Sequence, residues 1–157
     1  MNLMKFKNLL FLLALLLGVM VTNTPQAKAH CEVPCGIYND SLRIELVKEH
    51  IQTIKKSMHE IEHLSTENKT DLQQMVRWVN NKEEHAIKIQ EIMTQYFLFQ
   101  RVKLGTDKKT QERTEKLLLS LHKVCVYAMK CKQSLDHKYI DKLQKATLEF
   151  ENLYFNP

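Results

Sequence analysis

VKEHIQTIKKSMHEI, residues 47–61, carries its apolar side chains at Val47, Ile51, Ile54, Met58 and Ile61. The steps are 4, 3, 4 and 3, the spacing that returns a side chain to one face of an α-helix, and polar residues fill the remaining positions. A strand would alternate every second residue, and no segment of the chain does so with β-branched residues. The pattern recurs downstream. Thr70-Asp71-Leu72-Gln73 reads as a capping box that starts a second helix, whose face runs through Leu72, Met75, Val76 and Val79 and on to Ile92, Met93 and Tyr96, with Gly105 as its stop. A third helix carries Leu117, Leu118, Leu121, Val124, Cys125 and Ala128. A fourth, capped by Asp136, carries Ile140, Leu143, Thr147, Phe150 and Tyr154. After residue 29 the only prolines are Pro34 and Pro157 and the only glycines Gly36 and Gly105, so nothing interrupts these runs. Four amphipathic helices with short connections predict an all-α fold, an antiparallel four-helix bundle over residues 39–157. The tail EFENLYFNP looks like an expression-vector scar, but Phe150 and Tyr154 continue the fourth stripe and mark it as native sequence.

Residues 1–29 have a different character. Lys5 and Lys7 precede the apolar run Leu9–Val21, and Ala27-Lys28-Ala29 is a small-x-small cleavage site. This is the pattern of a cleaved signal peptide, and the apolar run is shorter than the roughly 18 to 20 residues a membrane span needs. Export to the periplasm or the extracellular space is the expectation, with signal peptidase as a processing partner and no membrane attachment after cleavage. His30 precedes Cys31 where a lipoprotein signal would have a small residue, which argues against lipidation. Removing the three leader lysines takes Lys plus Arg from 23 to 20, against 18 acids, so the mature chain is close to neutral at about +2. Its basic residues interleave with acids, as in KEEH and QERTEK, and form no nucleic-acid footprint.

At the junction stands HCEVPCGIY, residues 30–38. Cleavage after Ala29 would give His30 a free α-amine. That amine, the His30 imidazole, the Cys31 backbone nitrogen and the Cys31 sulfur can close five- and six-membered chelate rings on one metal. Cys35 supplies a second thiolate, with Pro34 stiffening the return and Gly36 allowing close backbone approach. Nitrogen and thiolate donors in a plane suit Ni(II) or Cu(II), whereas structural zinc takes four side-chain ligands in a tetrahedron. The residues alone leave three readings: a nickel enzyme, an exported copper-binding protein, and a non-enzymatic helical binding protein with a Cys31–Cys35 disulfide.

HCEVPCGIY resembles the N-terminal nickel hook of the nickel superoxide dismutases, His-Cys-x-x-Pro-Cys-Gly-x-Tyr, at every fixed position. VRWVNNKEEHA, QYF and VYAMKCKQ are similar to the helices of that family's body. The resemblance implies dismutation of superoxide to oxygen and hydrogen peroxide by Ni(II)/Ni(III) cycling, one nickel per subunit, and a homohexamer. It implies that His30, Cys31 and Cys35 bind nickel and that Tyr38 lines the substrate approach. Arg43-Ile44-Glu45 resembles the family's Arg-Ile-Glu, one residue nearer the hook, which makes Glu45 the group that orients the His30 imidazole. The partner that holds Glu45 stays open between Arg77, Asn81 and His85. Cys125 and Cys131, six residues apart on one helix, are separated by about 9 Å of rise, too far to bridge, and are expected as packed thiols. His59 and His63, at i and i+4, have metal-ligand spacing but no carboxylate placed nearby.

Overall fold

The computed structural model describes Lys7, Asn8, residues 39–66 and residues 71–156. The chain divides into Met1–His30 and Cys31–Pro157, and the helical bundle belongs to the second unit. Its helices are α1 (Asp40–Thr66), α2 (Leu72–Glu91), α3 (Lys108–Gln133) and α4 (Lys138–Phe155). The α2 axis runs on through a π-wound segment, Ile92–Arg101. Around the bundle α1 packs on α2, α2 on α3, α3 on α4 and α4 on α1, the square of neighbours that short connections impose. Among the described residues there is no strand. The all-α bundle expected from the sequence is the observed fold.

The stripes that built the expectation are largely the core. Val47, Ile51, Ile54, Met58 and Ile61 are all buried, as are Ile140, Leu143, Thr147 and Phe150. On α3, Leu117, Leu121, Val124 and Ala128 are buried, Cys125 is half-buried, and Leu118 turns to the surface. The second stripe needs correction in its first half. Leu72 is 72% exposed and Val76 57%, and the buried face of α2 begins at Lys82 and runs through Ala86 and Ile89 to Met93, Tyr96 and Phe97. The first two turns of α2 lie beyond the part of the helix that the core covers.

The helix ends follow from local chemistry. The Asp71 carboxylate, one residue later than the capping box expected, accepts the N–H groups of Gln73 (3.0 Å) and Gln74 (3.1 Å). Asp107 and Thr110 form a full capping box on α3. The N-cap of α4 is His137, one residue later than the expected Asp136, and it makes no side-chain cap bond; the Asp136 carboxylate accepts the Lys138 N–H at 3.0 Å just before it. Gly105 does not end the second helix, which stops at Arg101. It lies in the following loop against the first turn of α3, where a Cβ would fall 2.2 Å from the Gln111 nitrogen. Two helix C-termini are closed by cations from a neighbouring helix. Buried Lys82 donates through Nζ to the carbonyls of Cys131 (2.9 Å) and Lys132 (2.7 Å) at the end of α3. Arg113 donates through Nη2 to those of Leu153 and Tyr154 (both 3.1 Å) at the end of α4. Carbonyls left without a helical partner carry the negative end of the helix dipole, which is why cations settle there.

Candidate functional site

His30, Cys31, Cys35 and Tyr38 lie outside the described residues. The description begins at Asn39, which caps α1: its Oδ1 accepts the Ser41 N–H at 3.1 Å and the Ser41 hydroxyl at 2.7 Å. The next residue, Asp40, is the centre of a polar cluster that ties three segments together. Its carboxylate accepts the hydroxyl of Tyr96, the hydroxyl of Tyr154 (2.7 Å), and Nε and Nη2 of Arg101 (both 3.1 Å). Arg43 and Arg101 both sit within cation–π reach of the Tyr96 ring, at 5.1 and 5.3 Å from its centroid.

The π winding makes this cluster possible. Along an α-helix, residues five apart point about 140° away from each other. Along a π-helix the i→i+5 hydrogen bond stacks them, as in the bond from Val102 N–H to Phe97 C=O at 2.9 Å. Tyr96 and Arg101 are five apart and both reach Asp40. Below them Phe97, Phe150 and Tyr154 pack ring to ring, with centroids 5.0 to 5.6 Å apart, and close the apolar core under the cluster. Burial alone would raise the Asp40 carboxyl, but the hydroxyls of Tyr96 and Tyr154 and the Arg101 guanidinium outweigh it and hold the carboxyl below its ordinary value. Burial, reinforced by the bond to Asp40, pushes the Tyr154 hydroxyl well above the ordinary tyrosine value.

Glu45 is 60% exposed on α1 and pairs with Lys48 at 2.9 Å, which also binds Glu151 at 2.8 Å. The three residues considered as its partner make other contacts. Asn81 donates to the Ser57 hydroxyl (2.9 Å), His85 meets His50 (2.9 Å), and Arg77 lines a surface depression with Gln74, Trp78 and Asn81. Cys131 is buried and Cys125 half-buried, both as free thiols, and burial pushes the Cys131 thiol up to about 11. Trp78 packs under the Lys56 ammonium, 5.7 Å from the ring centroid. Among the described residues no three His, Cys, Asp or Glu side chains are placed to hold a metal ion, and no helix is long and apolar enough to cross a membrane.

The family of nickel-containing superoxide dismutases matches residues 25–157, a stretch that takes in both HCEVPCGIY and the whole bundle. The chain belongs to the nickel-containing superoxide dismutase family. No curated protein and no solved structure matches it. As a nickel superoxide dismutase the chain is an enzyme, superoxide is its substrate and nickel its cofactor. This decides among the three readings left open by the residues. The non-enzymatic binding protein and the copper carrier both give way.

The sequence missed Asp40 and Arg101 as members of a cluster in this nickel superoxide dismutase. Tyr96 and Tyr154 were legible only as members of apolar stripes. The one available signal was a buried-face tyrosine on each of two helices, since a buried hydroxyl needs a partner.

Proposed function

We propose that the nickel of this superoxide dismutase is held at the mature N-terminus, by the His30 amine and imidazole, the Cys31 backbone nitrogen, and the thiolates of Cys31 and Cys35. The observation that carries this reading is the coincidence of two independent patterns on one histidine: the hook motif starts at His30, and Ala27-Lys28-Ala29 would release His30 as residue one. The donor set fits the metal, because two nitrogens and two thiolates in a plane are what Ni(II) prefers. Bound there, nickel supplies a one-electron Ni(II)/Ni(III) couple by which one superoxide is oxidised to oxygen and a second, taking up two protons, is reduced to hydrogen peroxide.

The chain's own residues bind the metal and position the groups around it. Tyr38 lies next to the Asn39 cap and two residues before Asp40, and is assigned to order water or superoxide at the approach to the metal. Glu45 is assigned to orient the His30 imidazole. Lys48, which already pairs with it, takes the holding role, in place of Arg77, Asn81 or His85. The leader implies export to the periplasm or the extracellular space. The homohexamer is what the family resemblance implies, and large apolar side chains left on the surface, including Leu72 and Val76 one turn apart on α2, and Phe99, which is 62% exposed, offer faces for self-association.

Native mass spectrometry of the enzyme secreted by its own host tests the site. The expected mass is that of a chain beginning at His30 with one nickel. A mature chain beginning elsewhere, or a Cys31–Cys35 disulfide in the active form, would sink the assignment.

A further inference from the structure

Helices α1 and α2 bring two imidazoles face to edge. His50 Nδ1 and His85 Nδ1 are 2.9 Å apart, the rings are 4.9 Å between centroids and inclined at 73°, and both residues are half-buried. At that separation one ring donates its Nδ1 proton and the other offers a lone pair. Burial first, and then neighbouring positive charge, lowers both imidazoles below their ordinary value, so the pair is uncharged at neutral pH. The charged groups that face it are Lys88, which acts on both rings, Glu49 beside His50 and Glu84 beside His85.

We propose that His50 and His85 form a second metal site, a two-imidazole chelate for Cu(II) or Ni(II), separate from the catalytic nickel. The distance selects the metal. Imidazole nitrogens bind first-row divalent ions at about 2.0 to 2.1 Å. Two such bonds whose nitrogens are 2.9 Å apart enclose an angle of about 90°, that of adjacent corners of a square plane or octahedron. A tetrahedral ion would need the nitrogens about 3.3 Å apart, so zinc requires the pair to spread as well as to turn, where copper and nickel need only the turn. Binding is neutral in protons: the donor ring moves its hydrogen from Nδ1 to Nε2, both Nδ1 lone pairs turn to the metal, and two bound waters leave. Water completes the coordination on the exposed side. Lys88 opposes the charge of the ion, but it is already engaged by Glu84 at 2.6 Å. Between the two ions the usual affinity order favours copper.

The test is titration of the nickel-loaded mature enzyme with Cu(II), followed by native mass spectrometry and electron paramagnetic resonance. One copper per chain is expected, with nickel retained and with hyperfine structure from two equivalent nitrogens. His50→Gln and His85→Gln should each weaken copper binding at least tenfold while leaving the thermal midpoint within a few degrees. His63→Gln, which breaks the other pair of helical histidines, should leave it unchanged. Copper that replaces nickel, no uptake, or uptake that survives both His50→Gln and His85→Gln would overturn the proposal.

Discussion

Asp40 does more for the folded enzyme than a surface carboxylate ordinarily does. Its side chain is 24% exposed, it receives bonds from two hydroxyls and a guanidinium, and those donors come from residues 56, 61 and 114 positions away. Hydrogen bonds to a charged partner are worth about 1.5 to 3 kcal/mol each, against about 0.5 to 1.5 for neutral ones. Asp40→Asn keeps the shape, removes the charge and leaves Arg101 without its counter-ion there. A loss of about 2 to 3 kcal/mol of unfolding free energy is expected, measurable by urea denaturation at pH 7. The pH dependence has a definite sign. Because the folded carboxyl titrates below its ordinary value of 3.8, its contribution is present above that pH and is lost as pH falls through the lower folded value. Because Tyr154 titrates above its ordinary value of 10.0, the folded state keeps a proton that the unfolded chain gives up, and stability falls as pH rises beyond 10.0. In urea midpoints measured across pH, Asp40→Asn should flatten the acid limb. An unchanged acid limb would remove Asp40 from this role.

At the level of elements, the connection from the π segment to α3 is closely packed at Gly105. The atoms nearest a Cβ added at Gly105 are backbone, the Gln111 nitrogen at 2.2 Å and the Thr110 carbonyl carbon at 2.4 Å, so no side-chain rotation relieves the clash. Gly105→Ala must push the loop off the Asp107–Thr110 capping box, and a cost of about 2 kcal/mol or more is expected. A shift in thermal midpoint of less than a degree would show that the loop yields freely. This joint also shows what a single sequence conceals. Gly105 was legible as a punctuation mark but not as a close approach, because the residues it meets are five and six positions ahead, in another helix. The stripes of α1 and α4 were legible in full, since an apolar period along a helix has only one face to bury. The stripe of α2 was misread at its start because periodicity gives the direction of a face, not how far along the helix the neighbours extend. The π winding escaped because Met93, Tyr96 and Phe97 satisfy an α period equally well. The i→i+5 bond from Val102 to Phe97 and the shared contact of Tyr96 and Arg101 with Asp40 reveal it.

For the molecule as a whole, the proposed metal ligands lie in residues 30–35 and the described core in residues 44–150, and whether the two depend on each other can be measured. Among the described residues the core begins at Ile44 and closes with Phe150. The family was legible in HCEVPCGIY because the residues of that motif are neighbours in sequence. Asp40, Arg101 and Tyr154 were not, because only the finished bundle brings them together. One alanine inserted between Ala29 and His30, with cleavage retained before it, would alter no existing side chain and take the free amine off His30. In the proposed site that amine is a ligand, and His30 would offer an amide nitrogen and a displaced ring instead. Dismutase activity should fall by at least about a hundredfold, since disturbing even an outer group of a metal site costs 10- to 100-fold. Far-UV circular dichroism and the urea midpoint should match the parent, because the four helices and their core are untouched. An inserted variant that kept its activity would show that the metal does not depend on the His30 amine, and one that lost its helicity would show that the hook and the bundle fold as one unit.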